Sequence, residues 1–288
     1  MAERNGRTPG TLVALAALAA TLAGCDTAGR LVSSPGVAVV EEDKTGTSSI
    51  NIESLSDVVQ RNPNDASAYN TRGAAYARSG RYGDAVADFT KAVQIDPNNA
   101  PAYTNRALAM RQTAKNDAAA ADFSRAIAAD ASYGPAYIGR ANLYRTQGNY
   151  DAALQDLSEA IRLTPESAEA LHARGLVFQR MNRHREAVID FDAAIDRNSY
   201  VAAPYAARGQ SLIATNQHDK AVEDFNAALN LNNRDADSWA WRGVAYERSG
   251  RRAEALESYQ RASSLEQGNA TARAGLGRLQ GGVASIFR

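Results

Sequence analysis

Cysteine, histidine and methionine are scarce in this chain of 288 residues, with one cysteine and three each of the others. A single cysteine excludes an internal disulfide. The three histidines, His172, His184 and His218, fall in separate stretches without metal-ligand spacing, so no metal site is expected. An excess of one charge is also missing: 32 Lys and Arg stand against 32 Asp and Glu. That balance leaves no basic footprint for a phosphate backbone and excludes nucleic acid as an expected partner. No strained nucleophile turn, phosphate-cradling glycine loop or zinc-protease helix is present, so no catalytic residue and no cofactor is assigned. The apolar run from Leu12 to Ala23 is too short to cross a bilayer comfortably.

What that run does match is the apolar stretch of an export signal, preceded by Arg4 and Arg7. It ends in Leu22-Ala23-Gly24-Cys25, which resembles the bacterial lipobox. The resemblance implies cleavage after residue 24, acylation of Cys25, and a mature chain that begins at that cysteine. Two or more acyl chains anchor a protein stably where one is marginal. Asp26 resembles an inner-membrane retention signal of enteric bacteria, and the choice between inner and outer membrane stays open. Residues 25–51 mix Gly, Ser, Thr, Pro and charge without helical period and read as a flexible tether.

Residues 66–269 divide into six rows of 34 without insertion. The rows are 66–99, 100–133, 134–167, 168–201, 202–235 and 236–269. Column 20 is alanine in every row (Ala85, Ala119, Ala153, Ala187, Ala221, Ala255), as is column 27 (Ala92, Ala126, Ala160, Ala194, Ala228, Ala262). Column 24 is always large: Phe89, Phe123, Leu157, Phe191, Phe225, Tyr259. Columns 4, 8 and 11 form a stripe on a first helix, and columns 20, 24 and 27 a stripe on a second. Gly80, Gly148 and Gly250 fall between the two helices, where Asn182 and Asn216 tolerate the same left-handed turn. Pro97 and Pro165 punctuate the end of the second helix.

This pattern closely resembles the tetratricopeptide repeat. It implies an all-α, right-handed α-solenoid of six helix-turn-helix repeats, closed by capping helices. Residues 52–65 fit the second half of a preceding repeat, with Leu55 and Val58 in the core columns. Residues 270–280 fit a further first helix with Gly277 in column 8, ended by Gly281 and Gly282 ahead of a tail, 281–288.

Column 7 is arginine in all six rows: Arg72, Arg106, Arg140, Arg174, Arg208 and Arg242. Six guanidinium groups in line can bind a polyanion. Column 23, however, is Asp88, Asp122, Asp156, Asp190 and Asp224 in the first five rows. A structural Arg-Asp ladder with buried arginine stems is therefore the preferred reading. Row six has Ser258 there, which leaves Arg242 to seek another partner such as Glu257.

In the repeat family the first helices line a concave face, so columns 2, 5, 6, 9, 12 and 13 are expected to meet partners. They supply Asn105, Arg111, Ile138, Asn142, Arg145, His172, Leu176 and Arg180, a polar and basic surface. Beside them Ala203, Ala206, Ala207, Ile213 and Ala214 form an apolar stretch next to Trp241. That ring is either an interface anchor or packing under the terminal helix. The lysine that some repeat domains use to clamp a carboxylate terminus is absent. Lipobox, tether and array together resemble NlpI-type adaptor lipoproteins. The expectation is a periplasm-facing, lipid-anchored scaffold for envelope proteases, peptidoglycan hydrolases or peptides, with a homodimer possible. The alternative is an assembly lipoprotein of a pilus or secretion system.

Overall fold

Each row of 34 residues forms two helices joined by a three-residue turn. A computed structural model describes residues 47–284, with side chains from Ile52 to Leu279. All of them belong to one unit, Pro35–Arg288. The export signal, Cys25, the tether up to residue 46 and residues 285–288 lie outside the described residues.

Helix α1 (Thr47–Arg61) precedes the rows. The rows are α2 (Ala66–Arg78) with α3 (Tyr82–Ile95), α4 (Ala100–Gln112) with α5 (Asn116–Ala129), and α6 (Gly134–Thr146) with α7 (Tyr150–Leu163). Next come α8 (Ala168–Arg180) with α9 (His184–Arg197), α10 (Ala202–Ala214) with α11 (His218–Leu231), and α12 (Ala236–Arg248) with α13 (Arg252–Leu265); α14 (Ala270–Ala284) follows. Every helix packs on the next in sequence, and first helices also touch first helices of adjacent rows. Among the described residues no helix reaches a more distant row, which defines an all-α solenoid.

The alanine columns explain the close stacking. All six alanines of column 20 and their counterparts in column 27 are buried, and each column-24 side chain is buried between them. In four rows the glycine of column 8 lies directly under that ring. A β-carbon on Gly73, Gly175, Gly209 or Gly243 would stand 2.5–2.8 Å from the ring of Phe89, Phe191, Phe225 or Tyr259. Rows two and three have Ala107 and Ala141 instead. In row two the ring of Phe123 is seated against Gly139 of the following repeat, where an added β-carbon would lie at 2.3 Å; in row three the smaller Leu157 replaces the ring.

The turns take a left-handed residue in every row: Gly80, Gly148 and Gly250, Asn182 and Asn216, and also Ala114 (φ 58°). Five first helices start on side-chain caps from the residue before them, while α6 and α10, behind Tyr133 and Val201, do not. Asp65, Asn99, Ser167, Asp235 and Asn269 each accept a hydrogen bond from a backbone N–H in the first turn.

Both terminal helices differ from expectation. Helix α1 begins at Thr47, inside the expected tether, and buries Ile52 and Val59 while Val58 is exposed. Among the described residues it packs only on α2. Having no first helix of its own, it leaves open the stripe that interior repeats use for column 27. At the other end α14 runs through Gly281 and Gly282 to Ala284. Glycine weakens a helix but ends it only by adopting the left-handed turn. The glycine of α14 that meets the last ring is Gly275, against Tyr259, while Gly277 faces open space.

Candidate partner-binding face

The arginines of column 7 are consumed inside the array. Arg72, Arg106, Arg140, Arg174 and Arg208 each donate two hydrogen bonds, through Nε and Nη2, to both carboxylate oxygens of Asp88, Asp122, Asp156, Asp190 and Asp224 at 2.6–2.9 Å. All five aspartates are buried. Pairing with these carboxylates holds the Arg72, Arg140, Arg174 and Arg208 guanidinium groups above their ordinary value. Aromatic rings of columns 4 and 11 flank the guanidinium planes, as Tyr69 and Tyr76 do for Arg72, each 5.7 Å away.

The third nitrogen reaches back to the preceding repeat. Nη1 of Arg72, Arg106 and Arg140 donates to the hydroxyls of Ser56, Thr90 and Ser124, and that of Arg208 to Asp192 Oδ1. The arginine therefore staples three helices. Sequence reading missed this column 25, although its run of Ser56, Thr90, Ser124, Ser158, Asp192 and Asn226 was visible. In row six Arg242 bonds Ser258 Oγ at 3.2 Å and Asn226 Oδ1 at 2.8 Å, in place of the expected Glu257. Burial without a carboxylate pulls its guanidinium below the ordinary value.

The variable columns are less uniform than their spacing implies. Asn105 is buried and donates to Asn70 Oδ1 at 3.0 Å. Ile138 is buried in the core with Ala141 and Leu157, and Ala207 is buried as well. First helices of adjacent rows pack on one another, so columns 5 and 6 are partly covered by the neighbouring helix. These three residues therefore belong to the packing between repeats. The three histidines are all half-buried. His172 has its ring centroid 5.7 Å from that of Phe191. Burial, with a smaller contribution from Arg145, takes its imidazole down to about 4. Nδ1 of His184 and of His218 is buried without a hydrogen-bond partner.

Toward the ends of the first helices the remaining residues converge. Arg145 of α6, Leu176 and Arg180 of α8, Ile213 of α10 and Trp241 of α12 line one cavity of about 450 Å³. Asn142 lies one turn before Arg145 and is half-buried, and Arg111 occupies the same column as Arg145 one repeat earlier. Sequence reading did not place Gln179, Gln210 or His184 on this face, and with Ala214 they complete the lining. The two glutamines fall in variable columns 12 and 9 and were legible there. His184 opens a second helix, where no column pointed to the groove. Gln179 Nε2 donates to Ala207 O at 2.7 Å and Ser211 Oγ at 2.8 Å, fixing α8 to α10 beneath the cavity. Trp241 does both things weighed for it: it packs on the core of the last two repeats and presents part of its ring to the cavity. Among the described residues no three His, Cys, Asp or Glu side chains converge as a metal site, and no helix is long and apolar enough to cross a membrane.

Stacked two-helix modules with a lined face and a ladder of paired charges within the array define an α-solenoid interaction protein. Family models described as tetratricopeptide repeat match residues 66–99, 168–200 and 236–269, and one described as TPR repeat matches 141–182 and 209–250. The chain belongs to the tetratricopeptide-repeat proteins, and none of the matching models describes an enzyme.

No curated protein matches the chain. Among solved structures, it is similar to a chain of the APC/C hetero-tetramer Cut9-Hcn1, at 20% identity and TM-score 0.73, over 81% of this chain but 46% of that one. It is also similar to PilF of Pseudomonas aeruginosa, at 20% identity and TM-score 0.66 over 73% and 95% of the two chains. A third similar structure is YrrB, described as a TPR protein with an unusual peptide-binding site, at 24% identity and TM-score 0.53 over 65% and 96%. At these identities the likeness is one of fold.

Proposed function

We propose that this chain is a non-enzymatic adaptor of the bacterial envelope, tethered to a membrane through an acylated Cys25, that holds protein or peptide clients against its first-helix face. One observation carries the reading. The invariant columns satisfy their polar groups within the array, while the variable columns place Arg145, Leu176, Arg180, Ile213 and Trp241 around one open cavity. Side chains left partly open to solvent and gathered on one face are what a binding surface requires. Envelope proteases and peptidoglycan hydrolases are the clients proposed, on the architectural resemblance of lipobox, tether and array.

The test is a photo-crosslinking residue in place of Ile213 in live cells. Recovery of a protease or hydrolase supports the adaptor, and recovery of a secretin or pilus ATPase component would move the chain to envelope assembly. Capture of no protein at all would remove the client reading. Anchoring has a separate test: Cys25→Ser is expected to abolish palmitate labelling and membrane fractionation, and labelling that persists would refute the anchor.

A further inference from the structure

Half of the arginines among the described residues have a carboxylate at ion-pair distance. Five are spent in the ladder, and others pair on the surface, as Arg81 does with Asp84 at 2.7 Å and Arg162 with Glu159 at 2.6 Å. Arg111, Arg145 and Arg180 belong to the other half, and what sets them apart is that they stand together. They follow one another at the ends of α4, α6 and α8, and among the described residues no carboxylate lies within ion-pair distance of any of them. Nε of Arg145 is buried with no acceptor.

Nothing nearby offsets their charge. Arg111 is held below its ordinary value by burial and then by the charge of Arg145, and Arg145 by burial and then by Arg180. The cavity that leads to Trp241 adjoins a second one of about 470 Å³, and Arg145 and Arg180 line both. Neither lining contains an aspartate or a glutamate. Glu169 and Asp237 sit in the first turns of α8 and α12, at the opposite end of the first helices. Glu247, the one acid in the same columns, is taken by Arg278 at 2.8 Å and Tyr259 at 2.6 Å. In a chain with no net charge, this is a wall of one sign, and like charges held together in a half-buried groove are stabilised by an anionic ligand that supplies the missing acceptors.

We propose that this wall binds an extended segment of a partner protein in which two or three carboxylates are followed, within a few residues, by one large apolar side chain. The carboxylates lie on Arg111, Arg145 and Arg180, and the apolar side chain enters the cavity between Leu176, Ile213 and Trp241. The proposal rests on the client-binding reading of this face and adds the chemistry of the client. The specificity is one of order: acid first, along the three arginines, then the apolar anchor toward the last repeats.

Fluorescence anisotropy with the full chain in detergent tests it. The probe is a fluorescein-labelled peptide of alternating glutamate and glycine that ends in one leucine. The comparison peptides carry glutamine for glutamate, or alanine for leucine. The acidic probe is expected to bind at least ten-fold more tightly than its glutamine counterpart and to weaken as salt rises. Arg180→Glu, at an exposed position that leaves the fold intact, and Arg145→Gln should each reduce its affinity ten-fold or more. Arg81→Gln, at an arginine outside the groove, should leave it unchanged. Trp241→Ala should remove the advantage of leucine over alanine.

Equal binding of the acidic and glutamine peptides, or indifference to Arg180→Glu, overturns the proposal. Tighter binding of a peptide copying residues 36–45 of this chain, which carry Glu41, Glu42 and Asp43 after a valine run, would assign the wall to the chain itself and overturn the partner. If acid preference fails while Ile213 still captures a client in cells, the adaptor reading stands and only the acidic chemistry falls. If Ile213 captures nothing, the adaptor reading itself falls.

Discussion

Ala114 stands where the other five turns use glycine, which has no β-carbon, or asparagine, whose short polar side chain tolerates the left-handed turn. At φ 58° it occupies the left-handed region, which costs an L-residue with a β-carbon about 1 kcal/mol or more. Ala114→Gly relieves that strain, partly offset by the greater freedom of glycine in the unfolded chain. A gain of about 0.5–1 kcal/mol in denaturant unfolding is expected, and no gain would show that the turn is relaxed. His172 makes a second prediction. Its imidazole titrates at about 4 in the fold because it is buried against Phe191 and near Arg145, and an unfolded imidazole titrates near ~6.5. Between those values the unfolded chain binds more protons. The stabilisation is complete above the unfolded value and is lost as pH falls toward the folded one, by up to about 3 kcal/mol. Unfolding midpoints at pH 7 and 4.5 should fall less in His172→Gln than in the natural chain, and parallel losses would place the sensitivity elsewhere.

At the scale of elements, the arginine of column 7 decides how tightly a first helix is held to the second helices on either side. In five rows the carboxylate of column 23 completes the bidentate pair, while in row six Ser258 offers Arg242 one hydroxyl. Ser258→Asp builds the missing member between α12 and α13. Charge-assisted hydrogen bonds exceed neutral ones, but burying a second charge offsets part of the gain, so the expected change is a stabilisation on the order of 1 kcal/mol. Thermal unfolding of Ser258→Asp, and of the double variant with Arg242→Ala, separates the pair from the aspartate alone. A destabilised single variant would mean that desolvation wins in this row.

For the array as a whole, contacts reach only neighbouring repeats, so damage stays local. Phe191 is fully buried under Gly175, and Phe191→Ala removes a ring from the middle of the stack at a cost of about 3–5 kcal/mol. Hydrogen exchange should accelerate first in α8 and α9, then in α7 and α10, with α2, α3 and α13 least affected. Uniform loss of protection along the array would contradict nearest-neighbour stacking. The same locality lets the first-helix face vary from repeat to repeat, because an exposed column can change without disturbing the alanine and aromatic columns behind it.

The sequence by itself determined the period, the two helices of each repeat and the core, because a 34-residue repeat writes each packing contact six times. Ala85, Phe89 and Ala92 were legible from their columns alone, as was the matching of Arg72 to Asp88 by repeated charge. Only the tertiary structure decided which variable residues face outward. Asn105 and Ile138 fall in columns expected to meet a partner, yet the next first helix covers them, and that covering depends on how adjacent helices cross, which the residue types of a column do not record. It also decided that Arg111, Arg145 and Arg180 stand without carboxylates: which acid each arginine can reach is a matter of distance across helices, and the balanced composition of the chain conceals it.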